Sequence, residues 1–324
     1  MSQAAFLRVI KADPDADVPR LVFADWLDEQ GDTDRAEFIR LQVRGATLAG
    51  RTESTPPHVR LAKLYARHQA DWLGPWREMG LEVLGPGGDT PSEAEQGWAP
   101  RLWWSRGLLQ VRIGLTDLLA APAAFLAQAW EWVEALTVTD PRSNAVAALA
   151  AQPWLTQLAR LSVRTFRSTS LGDLGAQLLA QSPHLGNLAD LRLPAQNLTA
   201  TGIVALVESA WLPQVQRLIC EFNQLDDTGG TALASVRWTR LRHLGLRRCG
   251  LTDTTAFALA QTSSLATLRR LELFGNHIGN LGALALGEAP AAQSLDLLDL
   301  SDNNINTATR AALRHNFGPR IKLI

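Results

Sequence analysis

From residue 215 onward the chain repeats one pattern of apolar and polar positions, L-x-x-L-x-L-x-x-N-x-L. Four successive units fit it: Val215, Leu218, Cys220, Asn223, Leu225; Leu241, Leu244, Leu246, Cys249, Leu251; Leu268, Leu271, Leu273, Asn276, Ile278; and Leu295, Leu298, Leu300, Asn303, Ile305. Their starts lie 26, 27 and 27 residues apart. Toward the N-terminus the pattern continues through Leu188, Leu191, Leu193, Gln196, Leu198 and through Leu158, Leu161, Val163, Phe166. It then fades through Val133, Leu136, Val138 and Leu108, Val111, Ile113. Positions four and six are apolar with polar residues between them, the alternation of a short strand with one buried face. The following segments, LTATGIVALVES, LDDTGGTALAS, LTDTTAFALAQ and IGNLGALALGE, carry Gly, Ala and Leu at helical spacing. Each unit therefore predicts a strand, a turn and a helix of about two turns. An amide at position nine can hydrogen-bond the backbone of the turn leaving the strand. A lone unit cannot bury its apolar face, whereas stacked units share a continuous core.

The motif and its length resemble leucine-rich repeats, and the helical second half of each unit resembles the ribonuclease-inhibitor-like subclass. The resemblance covers roughly residues 107–324. It implies an α/β solenoid with a curved parallel sheet inside and helices outside.

The N-terminal part has a different pattern. Residues 2–12 read as a short helix ended by Asp13-Pro14; Asp17 and Pro19 start a second that stops at Gly31; a third runs from Arg35. PRLVFADWLDEQGD followed by EFIRLQ resembles the bacterial repeat-companion domain over about residues 3–43, a helical module to which no chemistry is attached. A helix is expected over Pro57 to Met79, then GPGGDTPSEAEQG reads as a mobile loop. Trp98, Trp103 and Trp104 follow just before the first repeat strand, where an aromatic plug would close the exposed end of the repeat core; the alternative is a set of rings on which a ligand stacks. The expected domains are a helical companion module at 1–49, a connecting helix, loop and tryptophan cap at 50–106, and the repeat array at 107–324.

Composition changes this picture little. The 324 residues carry 31 Lys and Arg against 32 Asp and Glu, so no net field draws the chain to nucleic acid or an anionic membrane. Two cysteines, Cys220 and Cys249, are too few for a disulfide framework and sit at inward-type positions, so buried thiols are expected rather than nucleophiles. With neither a secretory leader nor a membrane-spanning run legible, a cytoplasmic protein is the expectation.

Candidate chemistry is sparse. Asp25, Asp28 and Glu29 share one face of the second helix, opposite Val22, Phe23, Trp26 and Leu27, with no His or Cys nearby. They read as a solvated face, with Asp25 suited to an ion pair with Arg20 or Arg40. The six histidines are scattered without an H-x-x-x-H pair, GPGG lacks the Lys-Ser/Thr of a phosphate loop, and no G-x-S-x-G is present. No catalytic residue, metal or cofactor is expected. An enzyme would need a pocket of convergent polar groups, placed most naturally between the helical module and the tryptophan cluster.

What remains is the solvent side of the repeat strands, positions three, five and seven of each unit. These positions hold Arg160, Arg164, Arg192, Arg217, Arg247 and Arg270, with Ile219 and Phe274 among them and Phe222 at the neighbouring position eight. Arginine beside apolar groups is the composition of protein-binding hot spots. The expected function is therefore an adaptor that binds a partner protein on the concave face. The alternatives are arginine-mediated nucleic-acid binding and a regulatory or inhibitory subunit of an enzyme. The interleaved acids Asp190, Glu221 and Glu272 would repel a phosphate backbone, which disfavours nucleic acid.

Overall fold

The computed structural model describes residues 1–47, 56–85, 99–165, 169–262 and 266–323. The expected loop after Gly85, together with Trp98 and Phe166, lies outside the described residues. The chain forms two units, one of Met1–Thr139 with Trp154–Arg160, the other of Asp140–Pro153 with Leu161–Ile324.

The first unit opens with four helices, α1 (Gln3–Ala12), α2 (Val18–Glu29), α3 (Thr33–Thr47) and α4 (Pro56–Leu73), the last running into a 3-10 segment, Gly74–Met79. The Asp32 carboxylate accepts the backbone N–H of Arg35 at 3.2 Å and so caps α3. Phe6, Ile10, Phe23, Leu27, Ala36, Ile39 and Val43 recur at helical spacing and form one core, with Phe6 and Phe23 stacked 5.4 Å apart. Val22 departs from the expected inward face and is 50% exposed. The buried face of α2 is rotated away from Val22 toward Ala24 and Arg20, both of which are buried. Arg40 grips Asp25 at 2.5 Å and Asp28 at 2.6 Å, the solvated ion pairing expected of that face. Arg20 is buried instead, bridging Glu134 and donating to the carbonyls of Arg106 and Pro14, each at 2.9 Å.

Strands β1 (Glu82–Val83), β2 (Arg101–Ser105), β3 (Leu108–Gly114) and β4 (Val133–Thr139) complete this unit, with short helices α5 (Leu115–Leu119) and α6 (Ala123–Gln128) between the last two. The tryptophan segment is itself a strand: β2 pairs antiparallel with β3. Their two-residue turn, Arg106 and Gly107, has positive φ at both positions, the geometry that matches strand twist. A Cβ at Gly107 would also stand 2.7 Å from Ile39, so only glycine fits.

In the second unit helices and strands alternate: α7 (Ser143–Ala150), β5 (Arg160–Arg164), α8 (Gly172–Ala180), β6 (Asp190–Arg192), α9 (Ala200–Val207), β7 (Arg217–Ile219), α10 (Asp226–Ser235), β8 (His243–Gly245), α11 (Asp253–Gln261), β9 (Arg270–Glu272), α12 (Asn280–Glu288), β10 (Leu297–Asp299), α13 (Thr307–Phe317) and β11 (Ile321–Lys322). Strands β5 to β11 lie in chain order, and β6 to β11 are parallel. Register aligns Leu191, Leu218, Leu244, Leu271 and Leu298 in one row, all buried. Leu193, Cys220, Leu246, Leu273 and Leu300 are buried two positions on. Each such leucine contributes about 1.5–3 kcal/mol by leaving water. This is the α/β repeat solenoid that the leucine pattern predicts.

Position nine stitches the units together. The Asn276 Nδ2 donates to Leu246 O at 2.9 Å and Leu273 O at 2.8 Å, while its Oδ1 accepts from Cys249 N at 2.9 Å and Leu251 N at 3.1 Å. Asn223 and Asn303 likewise bond both to their own unit and to the one before. Cys249 stands on the same row, its thiol donating to Cys220 O at 3.3 Å. Burial pushes that thiol up to about 12 and raises Cys220 as well, which leaves both protonated and inert.

Candidate functional site on the repeat strands

The register places the alternate side chains of the second unit in rows across the sheet. One row runs Asp190, Arg217, His243, Arg270, Leu297; the next runs Arg192, Ile219, Gly245, Glu272, Asp299. Of the residues expected to make contacts, Arg192, Arg217, Ile219 and Arg270 sit in these rows. Arg164 ends β5 half-buried, and Arg247 and Phe274 follow β8 and β9 two residues beyond their ends. Arg160 belongs to the first unit, where it pairs with Asp15 at 2.7 Å.

The face differs from a row of exposed cations. Asp190, Glu272 and Asp299, expected to face solvent, are buried beneath the arginines. Arg192 meets Asp190 with two nitrogens, Nε at 3.0 Å and Nη2 at 2.8 Å. Arg217 donates to the same carboxylate at 2.8 Å and to His243 Nδ1 at 3.1 Å. His243 Nε2 stands 3.4 Å from Glu272, which also pairs with Arg270 and, at 2.6 Å, with Arg247. Arg247 further approaches Glu221 at 3.4 Å and Asp299 at 3.9 Å. The four arginines 192, 217, 247 and 270 thus face the four carboxylates 190, 221, 272 and 299, and their formal charges cancel. Burial pushes the Glu272 carboxyl up, but hydrogen bonds from His243 and Arg270 and the nearby charge of Arg247 outweigh it and hold it at about 2. Burial lowers the His243 pKa, helped by Arg217 and Arg270 against Glu272, so the ring is neutral at neutral pH.

Apolar groups interrupt this network. Ile219 lies over Gly245, where an added Cβ would come within 2.8 Å of its Cδ1. The Arg248 guanidinium sits 5.4 Å from the Phe274 ring and 3.6 Å from Asp302. Phe222 occupies position eight, where the chain turns out of the strand. This position is left-handed in unit after unit, with φ of 54° at Ala195, 59° at Phe222, 49° at Arg248, 68° at Gly275 and 54° at Asp302. Left-handed backbone favours Gly, Asn or Asp and disfavours a large aromatic. Phe222 is nonetheless there and 51% exposed.

A second set of polar groups escaped the sequence reading. Asp227 accepts from the backbone N–H groups of Thr252 and Thr255, at 3.0 and 3.2 Å, and from both their hydroxyls. Asp173 likewise accepts from the backbone N–H groups of Thr199 and Gly202 and from the Thr199 hydroxyl, and Asp253 from the backbone N–H of Gly279. Each carboxylate caps the helix of the following unit. Burial pushes the Asp227 carboxyl up, and the hydrogen bonds from Thr252 and Thr255 more than reverse it. The recurrence of Asp227, Asp253 and Asn280 at steps of 26 and 27 was the legible signal. Among the described residues no group of His, Cys, Asp and Glu side chains could hold a metal ion, and no helix is long and apolar enough to cross a membrane.

A strand, a turn and a helix recur in stacked units of about this length, the form of an α/β repeat solenoid. The family model described as Leucine Rich repeat matches residues 264–287. Among solved structures the chain is similar to one described as "Crystal structure of Rad7 and Elc1 complex in yeast", at 15% identity and a TM-score of 0.42, covering 89% of this chain and 81% of that one. The curated proteins give no match.

Proposed function

We propose that the strand face of the second unit is a non-catalytic surface for recognising a partner protein. Phe222 carries the reading: an aromatic ring in a conformation suited to glycine, half in water, gains little for the fold and is suited to anchoring a partner. Ile219 and Phe274 extend the apolar path, and the outer arginines, Arg192 at 37% and Arg270 at 46% exposed, are the charge contacts best placed to exchange a carboxylate with a partner. Arg164, Arg217 and Arg247 fill supporting places in this reading, whereas Arg160 is engaged by Asp15. The cancelled charges of the face favour protein over nucleic acid, whose binding draws on uncompensated cations. The array is read as ribonuclease-inhibitor-like, and the helices before residue 49 as a repeat-companion module ahead of it.

The test is photo-crosslinking from a benzophenone amino acid at position 222, compared with the same group at Leu281 on α12. One partner crosslinked from 222 and not from 281, and lost on reversing Arg192 and Arg270 to glutamate, is the expected result. Equal crosslinking from both positions, or a nucleic acid captured with steep salt dependence, would overturn the proposal.

A further inference from the structure

His243 stands in the middle of the strand face, and its partners fix where its proton sits. On one side Arg217, from β7, donates its Nε–H to the His243 Nδ1 at 3.1 Å. A guanidinium has no lone pair, so Nδ1 is the acceptor and the neutral ring carries its hydrogen on Nε2. On the other side that Nε2 stands 3.4 Å from Glu272, on β9, longer than the roughly 2.7–3.2 Å of a well-formed N–H···O bond. The ring is a neutral bridge between a cation and an anion.

A second proton changes both ends. It can enter only at Nδ1, the atom on which Arg217 donates, so protonation makes both ring nitrogens donors and breaks the bond from Arg217. Arg217 keeps its hold on Asp190 at 2.8 Å. At Nε2 the stretched contact becomes an ion pair. Glu272 then faces three cations, His243, Arg247 and Arg270, of which Arg270 is the most exposed at 46%. The charged groups around the ring are Arg217 with Asp190 on one side, Arg270 with Glu272 on the other, and Arg247 beyond its own strand with Glu221 and Asp299. With Arg192 they cancel while the ring is neutral; a protonated ring leaves one positive charge in excess. Burial, helped by the two flanking arginines and opposed by Glu272, holds the ring below its ordinary value of 6.5, so the neutral bridge is the resting form.

We propose that His243 is an acid-operated latch on this face: its protonation releases Arg217 from the ring and Arg270 from Glu272, and the face then grips an acidic segment of a partner protein. The inference rests on the reading of this face as a partner surface and adds the partner's chemistry and the condition under which it is held. With the latch closed, the protein's own carboxylates occupy the arginines. With it open, Arg270 and the freed Nε of Arg217 are donors for a partner's Asp or Glu.

The experiment follows the full chain by nitrogen NMR of its histidine rings and arginine Nε–H groups, and then adds hexa-aspartate as the acidic probe. At neutral pH the His243 ring is expected as the Nε2–H tautomer. Its protonation, below pH 6.5, should move the Arg217 Nε–H signal with the same midpoint. Hexa-aspartate should bind roughly tenfold tighter at about pH 5.5 than at about pH 7.5. His243→Gln, whose amide accepts from Arg217 and donates to Glu272 but takes up no proton, should keep the weaker affinity at both. That variant also subtracts the positive charge that acid adds to any protein surface. The tautomer and the shared midpoint are read on the wild type and carry the test where His243→Gln fails to fold. An Nδ1–H tautomer, an Arg217 signal that ignores the histidine, the same pH dependence in His243→Gln, or no hexa-aspartate binding at either pH would overturn the inference. A crosslink from position 222 without these responses would uphold the partner surface and strike the latch; the responses without a crosslink would strike the protein reading and uphold the latch.

Discussion

Replacing Phe222 by glycine tests the reasoning that assigns it to a partner. An ordinary buried phenylalanine cut to alanine costs about 3–5 kcal/mol. Here three smaller effects meet. The left-handed backbone at φ 59° disfavours an L side chain by roughly 1–2 kcal/mol, which glycine relieves. Glycine's freer unfolded chain takes back about 0.5–1 kcal/mol. Full burial of a large apolar side chain contributes about 1.5–3 kcal/mol, so the half-exposed ring of Phe222 contributes roughly 1 kcal/mol. The sum is near zero, within about 1 kcal/mol either way. Urea unfolding of wild type and F222G should therefore give midpoints that nearly coincide with equal slopes. F222N, which also tolerates the left-handed region, should behave alike. A loss above about 2 kcal/mol, in the range of core substitutions, would show that the ring is held by its own fold and would remove the ground for reading it as an anchor.

Two further outcomes follow from the polar stitching. Asn276→Ala leaves the Leu246 carbonyl and two N–H groups buried without their partner, while Leu273 O keeps its bond from Asn303, and at about 1 kcal/mol or more for each of the three it should cost roughly 3–5 kcal/mol in urea unfolding. Asn276→Cys, which copies the residue at 249, should cost less than the alanine. The depressed Glu272 carboxyl contributes stability in full above its ordinary value of 4.5, and that contribution is lost as pH falls toward about 2. E272Q should be less stable than wild type at pH 7, and the two should converge near pH 2; parallel curves across that window would contradict the assignment.

The leucine rows were legible because period and register are written in the spacing: Leu244, Leu246, Leu271 and Leu273 are all buried where position four and six place them. The β2–β3 hairpin was less so. Its two tryptophans look like a plug, and only the Arg106–Gly107 turn signals that the chain doubles back. The candidate face was legible as a set of positions and not as an electrostatic surface. Spacing tells which side of the sheet Asp190 and Glu272 leave from; it does not tell that arginines from the same and neighbouring strands fold down over them. The cage of Trp72, Trp104 and Trp132 around Arg35 was invisible for a related reason, since one basic residue early in a helix gives no sign that three indole rings close around it.

Because each position-nine rung from Gln196 to Asn303 holds two coils at once, loss of an interior coil strands backbone on both sides, while a terminal coil can peel away alone. Cys249 makes one rung softer, a thiol standing where its neighbours have an amide. Opening of the array would then begin at its ends or part at that rung, so that the coils on either side of Cys249 exchange their amide protons as separate blocks.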